Sequence, residues 1–278
     1  MRFSPSALPF LLLTLSLAAH AQTDTSHSTF FPDRLAFPPL VANNEEARLG
    51  LQQELGSSRL KIGIGGSLDL VEFASGGDTI RWGADLCAYA LSNTFRGVLF
   101  KIAAADGLFG MHLTFTNGTP WSFRFRAIHL SGHLVDGNYD TEGKSWYGGR
   151  EPFNYTRNYG ELVAAWSGAI GRTSLRAYAG FSYAVWVRPA AIRPFSTVHG
   201  IEIRFPGSPS LYCAYNLAML GIPAYAGCNT LEAGVKLGTP GRRGVRLFLG
   251  YVAGLEPFGA LYNERSSSLS AGFGFDIW

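Results

Sequence analysis

The chain has 278 residues, with 23 lysines and arginines against 20 acids for a formal net charge of +3; only 15% of residues are charged. A positive excess this small, with its basic residues dispersed, leaves no electrostatic footprint for nucleic acid as a partner. Charge falls below the ~25% of average soluble proteins and the 34 glycines exceed the usual ~7%, while aromatics reach 14%.

The first residues, MRFSPSALPFLLLTLSLAAHA, place Arg2 before an apolar run from Leu8 to Ala19 and end on Ala19-His20-Ala21, a small-x-small cleavage site. Residues 1–21 read as a signal peptide. The apolar run is shorter than the ~20 residues of a spanning helix, and no later segment supplies an uninterrupted one. Residues 22–58, rich in proline and carrying an acidic cluster, read as a periplasmic leader with little strand and one helix-compatible piece around Glu45 to Leu55.

From residue 59 to 278 the pattern becomes runs of alternating apolar and polar residues separated by turn clusters such as SGGD, TNGTP and TPGRRG. Leu60, Ile62, Ile64 and Leu68 share one parity, and Lys61, Ser67 and Asp69 the other. Phe109, Met111, Leu113 and Phe115 oppose His112 and Thr114; Ile201, Ile203 and Phe205 oppose Glu202 and Arg204. Period-2 alternation is the mark of a strand between two different environments. A soluble sandwich shows it too, but export, scarce charge and abundant Gly, Tyr and Trp favour a membrane barrel. The expected fold is all-β, an outer-membrane antiparallel β-barrel of about twelve strands, with runs starting near Leu60, Thr79, Phe95, Phe109, Trp121, Phe153, Ser174, Val198, Leu211, Asn229, Val245 and Ser267. Long connections then belong to the cell exterior.

Charges on the non-lipid parity line the lumen: Arg81, Asp85, Arg124, Arg126, Arg157, Glu161, Arg176, Glu202 and Arg204. Their near balance of sign favours mutual pairing, since an ion-selective pore carries an excess of one sign. Cys213 and Cys228 flank the turn-rich stretch MLGIPAYAG, where a disulfide would staple a hairpin and free thiols are the alternative. The last residues, SLSAGFGFDIW, resemble the aromatic-ended final strand of bacterial outer-membrane barrels, although Trp278 is one position out of register with Phe273, Phe275 and Ile277.

The most chemically suggestive stretch is RFRAIHLSGHLVDG, residues 124–137. On a strand rising ~3.3 Å per residue, His129 and His133 lie about 13 Å apart and do not share a metal, whereas His129 and Ser131 can approach as general base and hydroxyl nucleophile. Two placements stay open. Either His129, Ser131 and His133 keep the parity of Trp121, Phe123 and Phe125 and face lipid, or a bulge near Ala127 turns them inward and sends Ile128, Leu130 and Leu134 to the lipid side. The following loop imitates the start of a calcium site through Asp136, Asn138, Asp140 and Glu142. It departs at Thr141 and Tyr147, where such a site needs glycine and glutamate. No metal and no cofactor is expected.

RFRAIHLSGHLVDG, FNYTRNYGEL, LRAYAGFSYAV, the C-terminal run and the leader FPPLVANNEEARLG together resemble a group of exported bacterial proteins, domain of unknown function 1207. That resemblance implies an exported barrel-like protein without an assigned activity. Here Gly132 and Gly137 replace a serine and a glutamate of the group's pattern. His129 and Ser131 also resemble the His-x-Ser pair of outer-membrane lipid A deacylases, which implies an acid about a dozen residues later: Glu142, with Asp140 or Asp136 as substitutes. In that reading Arg150 or Lys144 of the same loop holds a lipid phosphate.

Three functions remain: a structural or surface-interacting barrel, a narrow channel, or an outer-leaflet acyl hydrolase using His129, Ser131 and Glu142. The expected partners are outer-membrane lipid and lipopolysaccharide and the barrel assembly machinery.

Overall fold

The computed structural model describes residues 26–95, 99–222, 224–239 and 241–277. The expected signal peptide and Trp278 lie outside the described residues.

Strands follow in the order β1 (His27–Phe30), β2 (Leu49–Glu54), β3 (Arg59–Ser75), β4 (Asp78–Phe95), β5 (Leu99–Thr116), β6 (Trp121–Leu134), β7 (Tyr139–Asp140), β8 (Ser145–Trp146), β9 (Tyr155–Ile170), β10 (Thr173–Arg188), β11 (Phe195–Arg204), β12 (Ser210–Ile222), β13 (Ala224–Leu237), β14 (Gly244–Leu255) and β15 (Arg265–Asp276). All but β1, β7 and β8 form a closed antiparallel barrel of twelve strands, each paired with its neighbour and shut by β15–β2 and β2–β3. Closure joins the two edges of the twelve-stranded wall to each other. No helix among the described residues is long and apolar enough to cross a membrane; the spanning elements are strands.

Alternation sorts the two faces. Ile64, Leu86, Met111, Phe125, Leu162 and Tyr183 are exposed on the outside, Leu86 by 65%. Arg126, one position from Phe125, is 0% exposed inside. An apolar exterior round a charged interior is the pattern of an outer-membrane-type barrel.

The strand count agrees with expectation, but two assignments behind it do not. The runs starting near Phe95 and Phe109 are one strand, β5. Its centre, Ala104-Ala105-Asp106-Gly107, has the composition of a turn. It stays extended because it pairs on both sides and Asp106 reaches inward to accept the Gly259 amide at 2.8 Å. The missing strand is β2, inside the segment read as leader and partly helix-compatible. Ladders to β15 and β3 override its helix propensity. A side chain at Gly50 would come within 2.4 Å of the Phe273 carbonyl, so only glycine lets the strands meet there.

The stretch MLGIPAYAG is likewise not a loop: β12 runs to Ile222 and β13 begins at Ala224. The long connections, 135–154 and 256–264, lie at one end of the barrel, and the short turns 76–77, 117–120 and 171–172 at the other.

Of the leader, β1 pairs with the end of β3, and residues 35–48 enter the lumen. Phe37 and Leu40 pack on Val163, Ala165, Tyr178 and Val198, while Val41 and Ala42 meet Tyr212 and Ala214. At the long-loop end, Phe258, Ala260 and Leu261 fold inward over Leu91 and Ala104. The barrel interior is therefore a packed core.

Cys213 and Cys228 are unbonded. Cys213 stands opposite Ala233 and Cys228 opposite Ala218, and Cys228 is buried inside while Cys213 shares the outward parity of Tyr215. Their Cβ atoms point apart, which rules out a bridge. Alkylation of the denatured, never-reduced chain should therefore label Cys87, Cys213 and Cys228 alike; a mass spectrum two labels short would show a disulfide instead.

Candidate functional site

Two sites draw on the residues singled out in the sequence. The first is the lumen, where Arg124 and Arg126 on β6, Arg157 and Glu161 on β9 and Glu202 on β11 are all buried. Inward arginines need acids, and many of these come from the leader. Glu46 is 0% exposed and takes a two-pronged contact from Arg124, 2.9 Å through Nη1, with Arg126 Nη1 3.6 Å away. Glu45 accepts Arg157 Nη1 at 2.7 Å and the Tyr159 hydroxyl at 2.9 Å. Glu161 holds Arg126 Nε at 2.8 Å. Glu202 accepts the Val41 amide at 2.8 Å, and Arg176 donates to the Pro38 carbonyl at 3.0 Å. Arg204 lies 3.5 Å from Glu202.

Lower down, Arg81 bridges Asp69 at 3.0 Å, and His112 sits between Asp69 and Asp85. Burial pushes the Glu45 and Glu46 carboxyls up, but Arg157 and Tyr159 at the first and Arg124 and Arg126 at the second outweigh it and hold both below the usual carboxylate value of 4.5. Charges of both signs neutralise one another here, and the leader supplies the acids that complete the set.

The second site is on the outer face. β6 pairs with β5 and β9 without interruption through Ala127, so the expected bulge is absent. Ile128 and Leu130 point inward and join a cluster with Tyr155, Tyr159 and Leu255. His129, Ser131 and His133 keep the parity of Trp121, Phe123 and Phe125 and face outward. The inward placement fails because Ile128 and Leu130 fill the apolar interior beneath the long loops.

His129 stacks on Phe109 with ring centroids 4.6 Å apart, and its Nδ1 lies 2.6 Å from Asn158 Oδ1 on the neighbouring strand. Donation from Nδ1 to that oxygen fixes the tautomer with Nε2 bare. Ser131, two residues along, stands between Gly107 and Thr156. Its Oγ is 3.5 Å from where a Gly107 Cβ would sit, so the absent side chain leaves the hydroxyl an open approach. Asn158 is the residue that reading along the chain missed. It is 29 positions from His129 and becomes its partner only through the β6–β9 register.

Glu142 is not brought to His129. It lies exposed in the long loop, where its amide donates to Asp140 Oδ1 at 3.1 Å. That turn, with Asp136–Asn138 in a short 3-10 segment and β7 paired to β8, uses the acids to shape the loop. No cluster of metal ligands occurs among the described residues. Arg150 is committed to Glu264, at 2.6 and 2.9 Å, which raises its proton affinity and removes it as a free phosphate ligand.

No family model matches the chain, domain of unknown function 1207 included, and no curated protein matches it. Solved structures similar to it are outer-membrane barrels. The beta domain of the Bordetella autotransporter BrkA is 13% identical, with 82% of this chain and 97% of that one covered and a TM-score of 0.47. Outer membrane phospholipase A from Escherichia coli is 12% identical over 87% and 95%, TM-score 0.49. OmpT of Vibrio cholerae is 10% identical over 93% and 99%, TM-score 0.37. At these identities the likeness is one of barrel architecture alone.

Removing Glu46 takes the two-pronged partner from buried Arg124, leaving it only Glu161 at 3.5 Å, and one of two acids from Arg126, a loss of about 3 kcal/mol. Glu46→Ala is expected to lower markedly the temperature at which the folded barrel converts to the unfolded band on a gel. A carboxyl whose folded value is depressed stabilises above its unfolded value, here about 4.5, and loses that contribution as pH falls through the folded value. Acidification below about pH 4.5 should therefore destabilise the wild type progressively and Glu46→Ala less. Equal acid sensitivity in both would show that Glu46 is not part of the lock.

Proposed function

We propose that this barrel is an outer-leaflet lipid acyl hydrolase in which Ser131 is the nucleophile, His129 the general base and Asn158 the residue that positions the imidazole. The observation that carries the reading is the His129–Asn158 hydrogen bond on the lipid-facing side, beside an accessible serine. Polar side chains on that face are costly unless paired or used. The long connections 135–154 and 256–264 at this end of β6 support a reading in which it faces the cell exterior and the trio meets the outer leaflet. The filled lumen argues against the channel reading, and a purely structural barrel gives no reason for an oriented imidazole with a free nitrogen facing lipid.

The chemistry follows from these groups. Oγ of Ser131 attacks the ester carbonyl while its proton passes to Nε2 of His129. The tetrahedral adduct collapses, the bond from the carbonyl carbon to the alcohol oxygen breaks, and the imidazolium returns the proton to that oxygen. Water then attacks the acyl-serine, giving its proton to His129; the fatty acid leaves and Ser131 recovers its hydrogen. Asn158 holds the imidazole through both halves by accepting from Nδ1.

Lipid mass spectrometry on cells carrying the variants tests this. Ser131→Ala should abolish fatty-acid release without changing the folded band. Asn158→Ala should lower kcat about a hundredfold with little change in KM, and Asn158→Asp, which keeps an acceptor oxygen, should restore most of it. Glu142→Gln should behave as wild type. Identical lipid profiles from wild type and Ser131→Ala would sink the reading and leave His129 and Asn158 as wall structure.

A further inference from the structure

Along most of β10 the odd-numbered residues face out and the even ones in: Phe181 and Tyr183 are exposed, Tyr178, Ser182 and Ala184 buried. The pairing with β9 shifts between Ala184 and Trp186. That bulge reverses the parity, so Trp186 and Arg188, which would otherwise point into the lumen, are both exposed outside. It aims them at the rows that hold the catalytic trio. Trp186 stands opposite Asn158, which stands opposite His129; Arg188 stands opposite Thr156, which stands opposite Ser131.

One strand therefore separates Arg188 from Ser131, about 10 Å between backbones at the usual ~4.8 Å strand spacing. The Arg188 guanidinium lies 5.5 Å from the centre of the Trp186 ring. Among the described residues it contacts no carboxylate, unlike Arg150, which is bound to Glu264. A guanidinium on the lipid side without an acid is poorly placed unless an anion of the membrane completes it, and phosphate is the anion whose oxygens match its fork.

We propose that Arg188, propped on Trp186, binds the phosphate of the substrate, so that the lipid cleaved at Ser131 carries a phosphate group a few bonds from the scissile ester. The assignment rests on the acyl-hydrolase reading of Ser131. Glycerophospholipid and lipid A both present this chemistry, whereas diacylglycerol offers the ester without the phosphate. The bulge is what makes the site selective: it spends one residue of register to bring a cation to the outer face beside the nucleophile.

The full chain in detergent micelles decides it, assayed separately with phosphatidylglycerol, lipid A and diacylglycerol. Wild type is expected to show a KM for at least one phosphate-bearing lipid about tenfold or more below that for diacylglycerol, as a charge-assisted contact implies. The lipid with the lower KM identifies the source of the phosphate. In Arg188→Gln that ratio should fall toward one with kcat for the phosphate-bearing lipid nearly unchanged, and Arg188→Lys should restore part of it. A ratio that survives Arg188→Gln, or an equal loss of kcat on all three lipids, overturns the proposal while leaving the Ser131 chemistry standing. Hydrolysis that persists in Ser131→Ala overturns the hydrolase reading itself, and the phosphate assignment with it.

Discussion

The molecule is organised round the ion pairs between leader acids and wall arginines. Arg124, Arg126 and Arg157 face inward because the strand period leaves them no other side, and an unpaired guanidinium in that interior is prohibitive. Glu45 and Glu46 resolve the conflict from a segment that is not part of the wall. The same segment places Phe37, Leu40 and Val41 in the lumen, where they pack against Val163, Ala165, Tyr178, Val198, Tyr212 and Ala214. A wall held in this way is braced from within, and the residues facing lipid stand on strands fixed by those behind them.

That division of labour is visible on β6. Arg124 and Arg126 lock the strand to the plug, Ile128 and Leu130 pack under the long loops, and the intervening odd positions are left to meet the membrane. The same ladder that delivers Asn158 to His129 also delivers Arg157, one residue earlier, to Glu45 on the opposite face. Neighbouring positions of β9 thus serve the interior lock and the outward-facing contact with His129.

Alternation makes the barrel legible because lipid and a charged lumen are a strong contrast, and β6 reads correctly from Trp121 to Arg126, with Phe123 and Phe125 against Arg124 and Arg126; beyond Ala127 the sequence leaves two placements, and the uninterrupted ladders choose the one without a bulge. Twelve strands came out through two compensating errors. Asp106 and Gly107 look like a turn that divides β5 but serve inter-strand contacts, and EEARLGLQQE suits a helix until β15 and β3 claim its end as β2. Tertiary pairing overrode local propensity in both places. His129 and Ser131 are legible as a pair because they are close in the chain, whereas Asn158, the hydrogen-bond partner of His129, lies across the sheet where no spacing along the chain points to it. The bulge in β10 does leave a trace, since the run from Tyr183 to Val187, five residues without a polar break, interrupts the alternation, a pattern that marks a change of face.

The position of β2 has a consequence for how the barrel is made. The strand that joins the C-terminal β15 to the first long hairpin follows the plug directly, separated from Ala47 by a single residue. Closure therefore joins residues 49–54 to residues 270–275, the wall contact of greatest sequence separation and so of the largest loop-closure cost. While the wall is still an open sheet, residues 35–48 can settle against its inner face sideways. The barrel then closes around its own contents, and no charged segment is threaded through a finished ring of lipid-embedded strands.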